Sequence, residues 1–290
     1  MSGATRVGYL GPEGTFSGEA LATSPLVAAG VFGSVQPVAL ATIYDTVMAV
    51  SEGTVERAIV PIENSLEGSV DVTLDALAVD AAGVEIVAEA ILPVHHCLIA
   101  REQISQDAIT GIVSHPQVIG QCAGFIRSLG AVSVSTASST AEAVRLVAAG
   151  DDSGQAALGN RLAATIYGCQ ILREDVEDHP DNETRFVWLA PAGSGPAPAD
   201  SDRWKTSLVF WGRGAEQAGW LVACLSELAQ RDVNLTRIES RPRGHGLGRY
   251  MFFADLEGRD SDAAVAEAVA ALRVHCDEAR VLGSYPAAQT

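Results

Sequence analysis

The sequence has little positive charge. Among its 290 residues, 19 are Lys or Arg and 36 are Asp or Glu, which gives a formal net charge of −17. Such a chain repels the phosphates of nucleic acids and the headgroups of anionic lipids. We therefore expect neither a nucleic-acid partner nor a membrane partner. With 48% hydrophobic and 19% charged residues, the chain is still apolar enough to fold into compact domains.

Cysteine is also scarce, and the five thiols lie far apart without a C-x-x-C pair. An odd number cannot be fully paired within one chain, so we expect reduced thiols and a cytoplasmic location. The longest uncharged stretch, residues 20–44, is interrupted by Pro25, Gly30, Gly33 and Pro37, which argues against a membrane helix. The first residues lack the apolar core of a signal peptide, which agrees with that location.

Several common catalytic motifs are missing. The sequence has no H-E-x-x-H, no G-x-S-x-G and no P-loop, which argues against a zinc hydrolase, a serine hydrolase and a nucleotide-binding enzyme. His95 and His96 are adjacent in a predicted strand and should point to opposite faces, so they are not expected to share a metal ion. No metal site is predicted.

The chain does contain a regular alternation of strand-like and helix-like runs. Up to residue 190 it predicts an α/β fold of two lobes with a cleft between them, the second lobe spanning about residues 101–175. Residues 191–204 begin with a run rich in Pro, Gly and Ala and are predicted to form a linker. Residues 205–290 follow the order βαββαβ, which predicts a ferredoxin-like domain.

A glycine-rich loop follows the first predicted strand. Gly8, Gly11 and Gly14 have the spacing G-x-x-G-x-x-G and precede a predicted helix at residues 17–29. The backbone N–H groups of such a loop can hold an anion at the start of the helix. The alternative is a plain turn in which Ser17 caps the helix.

Polar residues are predicted at strand ends in both lobes. P-I-E-N-S at residues 61–65 follows a strand of the first lobe, and S-H-P-Q at residues 114–117 follows a strand of the second, with Gln121 one helical turn later. Ligands of α/β folds bind at the carboxyl ends of strands, so the repetition favours a site in the cleft. Taken alone, each motif would be ordinary turn chemistry.

Two further segments are polar or basic. N-E-T-R-F at residues 182–186 enters a strand that should return to the first lobe near the hinge, and alone it would be an ordinary polar strand edge. Residues 237–249 contain four arginines and are predicted to form a flexible hairpin with a local positive charge. A solvated loop is the alternative.

Five motifs thus occur in order: G-P-x-G-T-F-S at residues 11–17, P-I-E-N-S, S-H-P-Q, T-R-F at 184–186 and E-S-R-P at 239–242. Together they resemble the prephenate dehydratase family along nearly the whole chain. The resemblance implies a two-lobed catalytic domain similar to type II periplasmic binding proteins, followed by an ACT regulatory domain. It implies a lyase that converts prephenate into phenylpyruvate, CO2 and water in phenylalanine biosynthesis, without a metal or cofactor.

The resemblance also implies the residues of the site. Thr184 should assist departure of the ring hydroxyl, by a short hydrogen bond or a concerted proton transfer. Arg185 should either grip a substrate carboxylate or hold the hinge strand. The predicted catalytic residues are Thr184, Arg185 and Phe186. The predicted substrate-binding residues are Thr15, Phe16, Glu63, Asn64, Ser65, Ser114, His115 and Gln121.

A regulatory site is implied in the ACT domain. The family's G-A-L-V motif reads Gly219-Trp220-Leu221-Val222 here, and the indole of Trp220 should lie either in the amino-acid pocket or in a dimer core. The predicted amino-acid-binding residues are Gly219, Leu221, Val222, Asn234, Leu235, Glu239, Ser240, Arg241 and Pro242.

L-phenylalanine is the expected effector, bound between the ACT domains of a homodimer or homotetramer. Three alternatives remain open for the function. Arogenate dehydratase would perform the same chemistry on an aminated side chain, and a prephenate decarboxylase would keep the hydroxyl, which the presence of Thr184 disfavours. A non-catalytic small-molecule sensor would use the same architecture only for binding.

Overall fold

The described residues form three β-sheets with helices packed on them. The computed structural model describes residues 4–195, 201–212, 217–244 and 248–288. The strands are β1 (Thr5–Leu10), β2 (Val35–Leu40), β3 (Arg57–Asn64), β4 (Gly68–Ser69), β5 (Val84–Pro93), β6 (Cys97–Ala100), β7 (Gly111–Ser114), β8 (Ser133–Thr136), β9 (Gln155–Gly159), β10 (Gln170–Arg173), β11 (Glu183–Pro191), β12 (Trp204–Trp211), β13 (Leu235–Pro242), β14 (Tyr250–Glu257) and β15 (Glu278–Pro286).

The helices vary from four to thirteen residues in length. They are α1 (Phe16–Thr23), α2 (Pro25–Ala28), α3 (Ile43–Ser51), α4 (Asp71–Asp75), α5 (Pro116–Gln121), α6 (Ala123–Ser128), α7 (Thr140–Ala149), α8 (Arg161–Tyr167), α9 (Trp220–Ala229) and α10 (Ala263–His275). A π-helical segment, Ala76–Asp80, continues α4, and a 3-10 turn spans Gln106–Ala108. No described helix is long and apolar enough to cross a lipid bilayer.

The first lobe is built on a sheet with the order β2-β1-β3-β11-β5, to which β4 adds at β3. Strands β1, β2 and β3 are parallel, whereas β11 runs antiparallel to both β3 and β5. Strand β11 is the last strand of this sheet along the chain, but it lies between two other strands in the sheet. Residues on β11 are fixed by strands on both sides.

The second lobe has a sheet of order β10-β6-β9-β7-β8. Two chain segments connect it to the first lobe, one leaving after β5 and one returning before β11. The N–H of Val94 donates to the carbonyl of Asn182 at 2.8 Å, and the N–H of Val176 donates to the carbonyl of His96 at 3.0 Å. These bonds join the two segments into a hinge, so the lobes face each other across a cleft. The predicted two-lobed α/β fold is confirmed.

The C-terminal domain is an antiparallel sheet of order β13-β14-β12-β15. Helices α9 and α10 pack on one face and share a buried core with it. The opposite face packs on the first lobe, because Val187 and Leu189 of β11 lie in one cluster with Val209, Phe253 and Leu282. This is the predicted βαββαβ unit, with one face of its sheet covered by the catalytic part of the chain.

Three element boundaries differ from the sequence prediction. The helix predicted at residues 17–29 is divided at Ser24, where Pro25 opens α2. The sequence pattern of residues 116–129 predicts one continuous helix, but the helix is divided at Cys122, whose ψ of 21° lies outside the helical range. The pattern of residues 57–61 predicts a strand that ends at Pro61, but β3 extends through Asn64 because β11 and β4 pair with its end. Parts of the predicted linker and hairpin, residues 196–200 and 245–247, lie outside the described residues.

Candidate active site

Asn64 and Thr184 form a hydrogen-bonded pair across strands β3 and β11. They are directly opposite in the register, and Nδ2 of Asn64 donates to Oγ1 of Thr184 at 2.9 Å. Oδ1 of Asn64 accepts from the N–H groups of Leu66 and Glu67, so both ends of the amide are held. Since Oγ1 of Thr184 is an acceptor in this pair, its own proton is left to donate to a third group.

Ser65 and Asn182 fix the hinge next to this pair. Oγ of Ser65 accepts from the N–H of Glu183 at 2.9 Å, and the N–H of Ser65 donates to the carbonyl of Glu183 at 2.9 Å. Oδ1 of the buried Asn182 accepts from Nδ2 of Asn64 at 2.8 Å. Ser65 therefore holds the strand that carries Thr184.

The glycine-rich loop places Thr15 and Phe16 on the first-lobe side of the cleft. Thr15, rather than the predicted Ser17, caps α1: its Oγ1 accepts from the N–H of Gly18 at 3.2 Å and donates to the carbonyl of Leu10 at 2.6 Å. The cap lies two residues earlier because Phe16 is already helical. The ring of Phe16 meets the ring of His96 edge-on, with 5.5 Å between centroids.

Gln121 joins the two lobes. Its Nε2 lies 3.5 Å from Oε1 of Glu67 in the first lobe, and its Oε1 lies 3.1 Å from Nε2 of His96. The predicted residues Gln121, Phe16 and Asn64 are therefore brought to one region, with Glu67 and His96 beside them. The other two residues of the second lobe have structural contacts: Ser114 is buried and donates to the carbonyl of Leu158 at 2.7 Å, and His115 caps α5.

His96 is a site residue that the sequence analysis treated only as one of a histidine pair. It is 1% exposed, and burial lowers the pKa of its imidazole, so the ring is neutral at pH 7. Its Nδ1 has no hydrogen-bond partner among the described residues. Alternation in the predicted strand would place His95 and His96 on opposite sides; in the structure both lie between β5 and β6, where His95 is exposed and His96 is buried.

Three predicted residues do not reach the cleft. Arg185 follows Thr184 on β11, and Glu63 precedes Asn64 on β3. The side chains of Arg185 and Glu63 therefore point to the face of the sheet opposite the cleft. There Nη1 of Arg185 lies 2.6 Å from Oδ2 of Asp255 in the C-terminal domain. Phe186 is 1% exposed and packs in the core beside Trp188. The side chains of Glu63, Arg185 and Phe186 therefore lie away from the cleft, and for Arg185 this favours the second of its two predicted roles, that of holding the strand.

One group of described side chains contains a histidine and two carboxylates, which are common ligands of metal ions. Donor atoms of His95, Asp175 and Glu177 lie within 4.8 Å of one another. The Glu177 carboxylate already accepts from the N–H of His96 at 2.8 Å and lies 2.9 Å from Nδ1 of His95. These contacts account for the group as a hydrogen-bonded cluster at the hinge.

The comparison with known proteins adds to this geometry. Residues 7–194 match the family model described as prephenate dehydratase, which covers more than half of the chain. The chain belongs to the prephenate dehydratase family. The resemblance seen in the motifs is therefore confirmed, and the members of this family are lyases. Residues 217–274 match the ACT domain model, so the C-terminal domain is of the ACT type.

Relatives from this family align over nearly the full length of the chain. The prephenate dehydratase of Mycobacterium marinum is 38% identical over 289 residues, which cover 98% of this chain and 90% of the relative. A solved prephenate dehydratase from Arthrobacter aurescens, in complex with L-Phe, has a TM-score of 0.86 and 34% identity, with 97% and 90% of the two chains covered. A protein named GqqA, described as a quorum quenching acylase, has a TM-score of 0.83 and 30% identity, with 98% of each chain covered.

The ACT domain has a cavity of about 270 Å³ at the start of α9. Gly219 caps the helix with a φ of 87°, which a side chain would strain. Of the predicted effector-binding residues, Gly219, Leu221 and Val222 line this cavity, together with Gln217, Trp220, Gly248, Tyr250 and Phe252. Ser240 and Pro242 lie opposite Phe252 and Tyr250 in the register, on the same face of the sheet.

The remaining predicted effector residues lie elsewhere. Glu239 and Arg241 alternate with Ser240 and face the first lobe, where Oε2 of Glu239 lies 2.8 Å from Oγ of Ser69 and Nη2 of Arg241 lies 2.7 Å from Oδ2 of Asp75. Leu235 packs against the ACT core, and the carbonyl of Asn234 accepts from the N–H of Glu257. Within the E-S-R-P motif, Ser240 and Pro242 thus lie on the cavity side of the sheet, and Glu239 and Arg241 lie at the interface with the first lobe.

The indole of Trp220 lies between the ACT core and the cavity. Trp220 is 9% exposed and packs in the ACT core against Phe210 and Phe252, while Nε1 donates to the carbonyl of His275 at 2.7 Å. The ring forms one wall of the cavity without filling it. Its packing partners are therefore within its own domain.

Proposed function

We propose that this protein binds prephenate between its lobes and that Thr184 assists departure of the ring hydroxyl. The hydrogen bond from Asn64 to Oγ1 of Thr184 is the observation that carries the proposal, because it directs the threonine proton away from Asn64. A threonine hydroxyl is a very weak acid. It therefore acts through a hydrogen bond that strengthens as negative charge develops on the departing oxygen.

The reaction balances without an oxidant or reductant. The bond between the ring and its carboxylate breaks, and its electron pair enters the ring as CO2 leaves. The bond between the ring and its hydroxyl breaks at the opposite carbon, and the departing hydroxide takes up one proton, which solvent supplies overall, to leave as water. Phenylpyruvate remains, and formation of the aromatic ring supplies the driving force.

Neutral donors are proposed to hold the substrate carboxylates, because the side chain of Arg185 is turned away from the cleft. Gln121 presents its amide from the second lobe, within 3.5 Å of Glu67. The backbone N–H groups of Phe16 and Ser17, at the start of α1, have no helical acceptor, whereas the N–H of Gly18 donates to Oγ1 of Thr15. Closure of the lobes would exclude water and fix the substrate against Thr184.

The test is incubation of the purified chain with prephenate and arogenate in parallel, followed by chromatography of the products. We expect phenylpyruvate from prephenate, at a higher rate than phenylalanine from arogenate. The reverse order of rates would indicate arogenate dehydratase. Binding of prephenate without turnover would indicate a sensor.

The similarity to GqqA makes acylase activity the second candidate, since that structure covers 98% of this chain. Acyl transfer by a serine or cysteine normally uses a histidine within hydrogen-bond reach. In the part of the chain that the structure describes, no serine or cysteine is hydrogen-bonded to a histidine ring. Release of a fatty acid from an N-acylated amine by the purified chain would support this second candidate.

The ACT cavity is proposed to bind L-phenylalanine and to regulate the enzyme. The relative from Arthrobacter aurescens was solved with L-Phe, and the cavity here combines the aromatic walls of Trp220, Tyr250 and Phe252 with the start of α9, where no side chain caps the helix. Regulation requires that the amino acid bind one arrangement of the lobes more tightly than the other. Calorimetry with phenylalanine, tyrosine and tryptophan tests the ligand, and inhibition or activation by the bound amino acid tests the coupling.

The assembly is proposed to be a homodimer or homotetramer that pairs ACT domains. Val222 at the cavity is 67% exposed, and Ile238 and Tyr250 are exposed on the same domain. Apolar side chains grouped in this way are typical of an interface. Sedimentation equilibrium of the full chain distinguishes the two assemblies from a monomer.

A further inference from the structure

Two neighbouring residue pairs on strands β3 and β11 face opposite sides of the sheet. Asn64 is opposite Thr184, and Glu63 is opposite Arg185. The first pair faces the cleft and is joined by the 2.9 Å hydrogen bond from Nδ2 of Asn64 to Oγ1 of Thr184. The second pair faces the ACT domain, where Nη1 of Arg185 lies 3.3 Å from Oε2 of Glu63. The catalytic pair and the interdomain pair are thus separated by one step along each strand.

Arg185 is held by three groups besides Glu63. Its Nε lies 2.7 Å from Oε2 of Glu89 on β5, its Nη1 lies 2.6 Å from Oδ2 of Asp255 on β14, and its Nη2 donates to Oη of Tyr285 on β15 at 2.8 Å. Ser207 on β12 completes the arrangement with contacts to Asp255 and Tyr285. We call these residues the Arg185 cluster: Glu63, Glu89, Arg185, Ser207, Asp255 and Tyr285.

The Arg185 cluster is buried and charged. Arg185 is 9% exposed and Asp255 is 2% exposed. Burial of Arg185 would by itself lower its pKa, but the neighbouring Tyr285, Asp255 and Glu89 raise the pKa above its ordinary value. Buried ion pairs contribute little net stability, because desolvation offsets their attraction. Their main effect is to fix the relative positions of the charged groups. Here the contacts join β11 to β12, β14 and β15 of the ACT sheet.

A second contact reaches the same place through β4. Gly68 and Ser69 of β4 pair with Asn64 and Glu63. Oγ of Ser69 accepts from Nη2 of Arg237 at 2.6 Å, and Glu239 of the same ACT strand lies 2.8 Å away. The ACT sheet therefore contacts both strands that carry the catalytic pair.

We propose that Arg185 is a positioning residue that sets the placement of Thr184 against Asn64 according to the position of the ACT sheet. The inference rests on the proposed role of Thr184. A shift of about 1 Å in a catalytic group lowers the rate by about 100-fold, so a small movement of β11 changes turnover without a change in the residues that contact substrate.

Tyr285→Phe and Arg185→Lys test the proposal in the full chain. Tyr285→Phe removes one hydrogen bond to Arg185, and Arg185→Lys keeps the charge but loses the planar fork. We expect kcat for prephenate to fall about tenfold in Tyr285→Phe and about 100-fold in Arg185→Lys, with KM changed less than about twofold. Tyr285→Phe keeps the test valid if Arg185→Lys does not fold.

Arg280→Lys is the matched control. Nη2 of Arg280 also joins the ACT sheet to the first lobe, through the carbonyls of Leu77 and Ala78 at 2.7 Å each, but it does not contact the Arg185 cluster. This variant should lose stability while its kcat stays at the wild-type value. If kcat falls in Arg280→Lys as far as in Tyr285→Phe, Arg185 has only a structural role and the proposal is overturned.

A double-mutant cycle separates positioning from general damage. In the Thr184→Ala background no hydroxyl remains to be positioned, so Tyr285→Phe should leave the residual rate unchanged. An equal tenfold loss in both backgrounds would refute the inference while leaving the proposed function intact. A wild-type chain that does not convert prephenate would refute the proposed function and, with it, this role of Arg185.

Discussion

Gly283 of the ACT domain crosses Ile86 of the first lobe so closely that no side chain fits between them. A Cβ at Gly283 would overlap the carbonyl oxygen of Ile86. The residue lies in β15, opposite Ser207 of the Arg185 cluster. This close approach brings the ACT sheet onto β5 and allows the buried contacts of Arg185 to form.

Gly283→Ala should therefore weaken the packing between the domains. Because the neighbouring backbone must move, we expect a loss of about 1–3 kcal/mol in the free energy of unfolding. Gly83→Ala is the control, since a Cβ there would meet nothing within 4 Å. Thermal denaturation of the two variants measures the difference, and equal melting temperatures would contradict the close approach.

A pH dependence follows from the burial of His96. Burial lowers the pKa of this histidine, whereas histidines of the unfolded chain titrate near about 6.5. Its contribution to stability is complete above that pH and is lost as the pH falls, because the unfolded chain then binds a proton that the folded protein does not. We expect the free energy of unfolding to fall between about pH 7 and pH 5, by at most about 1.4 kcal/mol per pH unit from this group.

Chemical denaturation at several pH values measures this slope. His96→Gln should show a shallower decline than the wild type. His179→Gln replaces an exposed histidine and should follow the wild type. Identical slopes for all three proteins would show that His96 is not the responsible group.

The sequence predicted the strands and their order along the chain well, because each strand has a strong local pattern. It also predicted Asn64 and Thr184 as site residues, and the structure places them in one hydrogen bond. It did not predict that Arg185 meets Asp255, since alternation shows that Arg185 and Thr184 point to opposite faces but not what covers each face. Contacts between residues 70 positions apart depend on how the domains pack.

Trp220→Phe tests the placement of the indole in the ACT core. The carbonyl of His275 loses its donor and the core loses volume, so we expect a destabilisation of about 1–3 kcal/mol with the assembly unchanged. Trp204→Phe is the control, because Trp204 is only half-buried and also donates to a backbone carbonyl, that of Ser201. Dissociation of the assembly by Trp220→Phe would instead place the ring at the interface between copies.

Val222→Asp tests the pairing of ACT domains. A charge on this exposed valine should convert the assembly to monomers and weaken the binding of phenylalanine, while the melting temperature of the monomer changes little. Val79→Asp places the same charge on a valine of the first lobe that is 64% exposed, and it should leave the assembly intact. Sedimentation measures the oligomeric state of both variants. An unaltered assembly in Val222→Asp would exclude this surface from the interface.

The most direct test of the account is the rate of phenylpyruvate formation from prephenate by the wild type, Thr184→Ser and Thr184→Ala. Serine keeps the hydroxyl that receives the hydrogen bond from Asn64, whereas alanine removes it. We expect kcat in Thr184→Ala to fall by about 100-fold with little change in KM, and Thr184→Ser to keep most of the wild-type rate. A Thr184→Ala enzyme that turns over prephenate at the wild-type rate would contradict the central role of the Asn64 and Thr184 pair.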